Sequence, residues 1–198
     1  MGNTWCKEIS NVFISINQER VYKSMVCCDL KLVESRLLDI YVARWQLSIE
    51  KMPKLRTYVK FKDIYEPEMY IIKSMSRRRR SLMSQFRTGI LPLEIEVGRY
   101  LPIYDKTSKR NRKREAHERI CKLCNLKIIE DEYHFLCVCP AYSNRRNMLF
   151  DEVIRNNDVF DVLSLSDKFV YIMKHCQLDV SKFINDSWSM RETKKYEL

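Results

Sequence analysis

The chain has 198 residues, 45% of them hydrophobic and 31% charged, enough to fill a sizeable core while leaving most helices a solvated face. Lys and Arg outnumber Asp and Glu by 36 to 26, and the formal net charge of +10 predicts attraction to polyanions without naming a fold. Three glycines and five prolines argue against a turn-rich all-β protein, and no apolar run approaches the ~20 residues a membrane helix needs.

The opening "MGNTWC" lacks the basic-then-apolar profile of a secretory signal. It is similar to a myristoylation start, but Cys6 stands where Ser or Thr is usual, so no lipid anchor is expected. Half of the eight cysteines fall in one cluster, which fits metal ligation in a reducing compartment better than disulfides. The expected location is therefore intracellular, nuclear or cytoplasmic. Cys6, Cys27, Cys28 and Cys176 are scattered among apolar neighbours and read as small buried hydrophobes.

Residues 1–104 read as a helical region. Apolar residues at three and four spacing (Leu37, Ile40, Tyr41 and Trp45, continued by Leu47 and Ile49) predict a long helix that Pro53 closes. "KLRTYVKFKDIYE" alternates basic and apolar residues and suits either a strand or another helix. The next stretch, "EPEMYIIKSMSRRRRSLMSQFRTG", predicts a helix with Pro67 in its first turn, Gly89 at its end and Leu82, Met83 and Phe86 on one face. Four successive arginines, Arg77 to Arg80, must point to every side of such a helix, so they form either a solvated face or a phosphate-binding surface. After Gly89 the sequence reads as a loop with one short strand, "LEIEV".

Residues 105–118 read as a basic flexible loop, with Lys106, Lys109, Arg110, Arg112, Lys113 and Arg114 and almost no apolar residue. Phosphate binding and nuclear localisation both fit such a run. Arg119, Lys122, Arg145 and Arg146 continue the basic density around the cysteine cluster. Residues 119–198 read as a zinc-knuckle module followed by three helices. Pro140 suits the first turn of the first, Ser166 or Asp167 caps the second, and Asp179 or Ser181 caps the third. The fold class expected is mainly α, a helical bundle with a small embedded zinc-binding module.

"CKLCNLKIIEDEYHFLCVC" carries Cys121, Cys124, His134 and Cys139 in the pattern C-x2-C-x9-H-x4-C. Three thiolates and an imidazole are a ligand set for tetrahedral zinc, and four protein ligands leave no position for water. The expected cofactor is one structural Zn2+ ion. Cys137, three residues from His134, competes with Cys139; Pro140 favours Cys139 because it marks a helix start. His117 lies in a charged segment and reads as solvated. A segment with so little core of its own needs such a staple.

"KLRTYVKFK", "FRTGILPLEIEVGRY" and "CKLCNLKIIEDEYHFLCVCPAYSNRR", in that order, resemble the C-terminal, post-polymerase region of non-LTR (LINE-like) retrotransposon reverse-transcriptase proteins. The resemblance covers roughly residues 40 to 150, and "EDEYHFL" through "CPAY" is its specific part. It implies that Cys121, Cys124, His134 and Cys139 are zinc ligands and that the surrounding region helps hold template RNA or target DNA. Retroelement RNA is one implied partner. No adjacent aspartate pair occurs anywhere, so the polymerase carboxylates are missing and nothing resembles an endonuclease. The chain is expected to be a non-enzymatic tail, truncated or separately encoded, that binds RNA or DNA with weak sequence specificity and no membrane. Tyr133, Phe135 and Tyr142 could stack on unpaired bases, although core packing is the stronger reading for Phe135. A zinc-stapled protein-interaction adaptor and a non-functional retroelement fragment are the alternatives.

Overall fold

The computed structural model describes residues 4–24, 27 and 29–195. The first three residues of the opening motif and Cys28 therefore lie outside the described residues. The chain is mainly helical and divides into two compact units, residues 1–51 and 52–198, rather than at the basic segment after residue 104. No helix among the described residues is long and apolar enough to cross a membrane.

The first unit holds α1 (Thr4–Ser15), α2 (Glu19–Ser24) and α3 (Leu30–Glu50). Asp29 caps α3 by accepting from the Lys31 amide at 2.9 Å, and Arg36 donates to the Ile16 carbonyl at 2.9 Å to tie α3 back to the first turn. Phe13 packs on Tyr22, with ring centroids 5.6 Å apart. Cys6 and Cys27, expected as buried hydrophobes, are exposed, and Cys176 in the second unit is half-buried. Spacing among apolar neighbours overestimated their burial because this unit is built from few helices and covers little of its own surface.

In the second unit, "KLRTYVKFK" forms two 3-10 turns, Pro53–Leu55 and Tyr58–Lys60, and neither a strand nor a long helix. The helix expected across residues 67 to 89 is broken into α4 (Met69–Ile72) and α5 (Arg77–Arg87). Arg80 stabilises the break by donating to the carbonyls of Tyr70 and Lys73, while Ser76 caps the new helix. Gly89 ends α5 at φ +69, where the Ile90 amide bonds the Gln85 carbonyl at 2.9 Å and the Gly89 amide bonds that of Phe86 at 3.3 Å. "LEIEV" is a helical turn, α6 (Glu94–Val97), instead of a strand. Its Glu94 amide donates to the Glu130 carboxylate and its Ile95 amide to the Glu130 carbonyl, tertiary bonds that replace strand pairing.

β1 (Pro102–Asp105) and β2 (Arg110–Lys113) pair antiparallel, with Pro102 opposite Lys113 and Tyr104 opposite Asn111. The basic segment expected as a flexible loop is thus half of a hairpin. Asp105 organises its turn by accepting from the Thr107 amide and the Ser108 hydroxyl, at 3.0 and 2.7 Å. The chain then runs through the knuckle to α7 (Ser143–Asn156), α8 (Leu165–His175) and α9 (Gln177–Lys195). Ser164 caps α8, two or three residues earlier than its sequence suggests.

The core sits where α5, α8 and α9 meet the knuckle segment. α9 buries Val180, Phe183, Ile184 and Trp188 at helical spacing. Phe135 lies fully buried among the rings of Phe86, Tyr142 and Phe183, at centroid distances of 5.7, 4.7 and 5.8 Å. Arg87, 1% exposed, crosses this interior: it donates to Glu68 and to the Met173 carbonyl and lies 4.3 Å from the Phe61 ring centre.

Candidate metal centre and basic hairpin

Residues 119 to 130 fold back on themselves. The Cys121 amide bonds the Ile128 carbonyl, the Glu130 amide bonds the Arg119 carbonyl, and Lys127 takes a left-handed φ of +54 to close the turn. Within that turn the Leu123 amide donates to Cys121 Sγ at 3.4 Å, which orients the first thiol and favours its charged form. Asp131 then accepts from the His134 amide at 2.8 Å and opens a short helix.

That helix changes pitch at once. Residues His134–Val138 form a π turn, closed by a 2.7 Å bond from the Cys139 amide to the His134 carbonyl. An α-helix brings together residues three or four apart, whereas the π turn brings together residues five apart. His134 and Cys139 therefore face one point, and the spacing x4 between them needs this wider turn. Pro140 follows and starts the 3-10 turn that leads into α7.

The ligand atoms of Cys121, Cys124, His134 and Cys139 all lie within 4.8 Å of one another. Cys121 Sγ is 3.9 Å from Cys139 Sγ, and Cys124 Sγ is 3.5 Å from His134 Nε2. A tetrahedral ion with bonds of ~2.0–2.3 Å holds its ligand atoms about 3.3–3.8 Å apart, so the cluster is close enough to hold a metal ion. Cys137 is buried but outside the cluster, and burial pushes its thiol up to about 12. His117 is exposed and also outside it. Between the two cysteines left open by the sequence, Cys139 is the one that joins the other three.

The four donors are electrostatically coupled. Hydrogen bonding between Cys121 and Cys139 holds Cys139 below the usual thiol value and raises Cys121, which burial raises further. His134 presents Nε2 to the cluster, while its Nδ1 is buried without a hydrogen-bond partner. Glu130, fully buried, accepts from the Cys121 thiol at 3.4 Å. Arg191 of α9 grips the same carboxylate with two nitrogens, at 2.5 and 2.8 Å. Neighbouring Glu132 is bonded away from the cluster by Arg56 and Thr57, and burial raises its carboxyl. The arginine partners of these two buried acids lie 61 and 76 residues away in the chain.

The ten cations expected to meet nucleic acid divide into two groups. Arg112 pairs with Glu118, and both Arg114 and Lys122 pair with Glu94. Arg119 donates to the Arg114 and Ile95 carbonyls, Arg145 to Met190 Sδ and Arg146 to the Cys139 carbonyl. Those six brace the fold around the metal cluster. Lys106, Lys109, Arg110 and Lys113 are exposed on the hairpin and form no ion pair among the described residues. The arginine run on α5 is divided: Arg77 and Arg78 are exposed, Arg78 bonding Glu192 and Ser189 at the surface, while half-buried Arg79 bonds Ser181 and the Leu178 carbonyl.

The aromatic expectation is corrected for the stacking role. Phe135 and Tyr142 are buried in the core, and Tyr133 packs on Phe169 with ring centres 5.6 Å apart. The aromatic rings that reach solvent beside the basic hairpin are Tyr100 and Tyr104, 68% and 62% exposed. The sequence held little signal for them, because β1 is only four residues long and "PIYD" shows no apolar–polar alternation. No protein-family model, no curated protein and no solved structure matches this chain.

Proposed function

We propose that this chain is a non-enzymatic nucleic-acid-binding module, for RNA or single-stranded DNA with weak sequence preference, built around one structural zinc ion. Three soft thiolates and one imidazole suit zinc, and four protein ligands would leave no coordination position for a substrate. The role of the ion is to hold the knuckle, the π turn and the start of α7 together. The order of sequence motifs that resembles a reverse-transcriptase tail supports template RNA or target DNA as the ligand class.

The observation that carries this reading is the segregation of charge. Six of the basic residues near the cluster are tied to carboxylates, carbonyls or a thioether within the fold, while Lys106, Lys109, Arg110 and Lys113 remain exposed at one end of it. Cations outnumbering the single acid Asp105, which is spent on its own turn, make the short hairpin a surface for phosphates. Four contacts to a single strand would make affinity fall about 50-fold between 50 and 200 mM salt. A titration against single-stranded RNA at those two concentrations tests the reading. Absence of binding at low salt would sink it.

A second reading rests on a different surface. α3 exposes Leu30, Leu38 and Leu47, which suits a protein partner. Binding of that kind would survive high salt and be lost when these leucines, and not the hairpin cations, are replaced.

A further inference from the structure

Beside the hairpin lies an open groove of about 710 Å³, lined by Pro53, Arg99, Tyr100, Pro102, Lys113 and Arg119. Three of the six lining residues are cations and none is an acid. Arg119 is satisfied by carbonyls alone, so its charge is not cancelled by an ion pair. Arg99 shares Glu96 with Lys54, leaving that trio with a net positive charge as well. Tyr100 stands at the wall with most of its ring in solvent.

The groove does not end at the lining. Pro102 and Lys113 are cross-strand partners, and the next pair on the same face of the hairpin is Tyr104 with Asn111, because side chains alternate along a strand. Successive positions on that face are about 6.6 Å apart. A second exposed ring therefore stands one step beyond the groove, beside an amide side chain and a lysine. Past it come the exposed turn cations Lys106 and Lys109. Rings that alternate with cations along a shallow track are what an unpaired strand requires: each ring offers a face to a base while the cations follow the phosphates. A duplex keeps its bases stacked internally and has no use for exposed rings on such a track.

We infer that this groove and the Tyr104 face of the hairpin form one binding track for an unpaired, single-stranded nucleic acid, with Tyr100 and Tyr104 as base-stacking platforms, Arg99 and Lys113 facing the backbone, and Arg119 adding positive charge from the groove wall while its nitrogens stay on carbonyls. This rests on the nucleic-acid reading above and narrows it to the strand state of the ligand.

The test measures the full chain against a short unstructured RNA carrying 2-aminopurine and against the duplex of the same sequence, at low salt. The expected result is binding of the single strand at least ~10-fold tighter than the duplex, with the 2-aminopurine signal changing on binding. Replacing both rings (Tyr100→Ala with Tyr104→Ala) should weaken single-strand binding ~10-fold or more and leave duplex binding unchanged. Tyr100→Phe with Tyr104→Phe keeps the rings while removing the Tyr100 hydroxyl from Lys54 and Glu96, and should bind as the parent does. Equal affinity for both strand states, or alanine variants that bind like the parent, would overturn the track while leaving electrostatic nucleic-acid binding intact. No binding to either ligand would overturn both.

Discussion

Arg191, in the last turns of α9, forms a two-pronged ion pair with Glu130, whose carboxylate also touches the Cys121 thiol. Both residues are buried, 3% and 0% exposed, and they are 61 positions apart in the chain. The C-terminal helix is thereby bolted to the metal cluster through one carboxylate. Removing the cation alone would leave a buried anion beside the Cys121 sulfur. Arg191→Ala should cost about 3–5 kcal/mol of unfolding free energy, read by chemical denaturation. Adding Glu130→Gln to it should recover part of that loss; a double variant no better than the single one would refute the coupling.

The metal cluster makes a sharper prediction about composition. Elemental analysis of purified protein should find one zinc per chain. Cys139→Ser should abolish it, whereas Cys137→Ser should keep it because Cys137 stands outside the cluster. Structural zinc sites bind with about 10–16 kcal/mol, so chelation should unfold much of the second unit, with a large loss of helical signal. Zinc retained in the Cys139 variant would show that the ligand set is misassigned.

Acid should loosen the hairpin only at low pH. The Glu118 carboxyl is lowered to about 2, first by its hydrogen bond from Arg112 and then by the Glu115 amide. Its folded value lies below the unfolded one, so its stabilising contribution is fully present above the ordinary carboxylate range. That contribution is lost as pH falls from there toward 2. Carboxyl chemical shifts followed by NMR should place the midpoint there, and Arg112→Ala should return it upward. An unshifted midpoint in the parent chain would disprove the pairing in solution.

Gly89 leaves no room for a side chain. It sits at φ +69, and an added Cβ would lie 2.2 Å from the Lys54 carbonyl oxygen. Gly89→Ala should therefore lower stability by more than ~1 kcal/mol, seen as a reduced thermal midpoint. A variant as stable as the parent would mean that the turn after α5 is free to move.

Local chemistry was legible in the sequence, and long-range partnership was not. Thiol and imidazole at fixed spacing mark the cluster because each ligand's identity is its function, and Leu82, Met83 and Phe86 mark the buried face of α5. β2 reads "RNRK" and has no alternation to betray a strand; its structure comes from pairing with β1 and from the Asp105 turn. α6 is a turn and not a strand because Glu130 supplies its backbone with partners from 36 residues away. Pro140 pointed to Cys139 over Cys137, and the cluster agrees; the π turn that carries Cys139 to the other ligands is what no local propensity announces. Phe135 is in the core as its sequence context favoured, while Tyr133 and Tyr142, offered as stacking rings because they sit near the ligands in sequence, are also taken in by the core behind the knuckle.

The inward arginines carry a consequence for how variants of this chain would behave. Arg87 uses its planar fork to bridge Glu68 and the Met173 carbonyl, and Arg191 uses its fork to grip both oxygens of Glu130, geometries that a lysine's single ammonium does not reproduce. Exchanging them for lysine would leave the isoelectric point and any ion-exchange behaviour almost unchanged while undermining the scaffold. Two chains indistinguishable by charge could then differ in whether they hold together at body temperature.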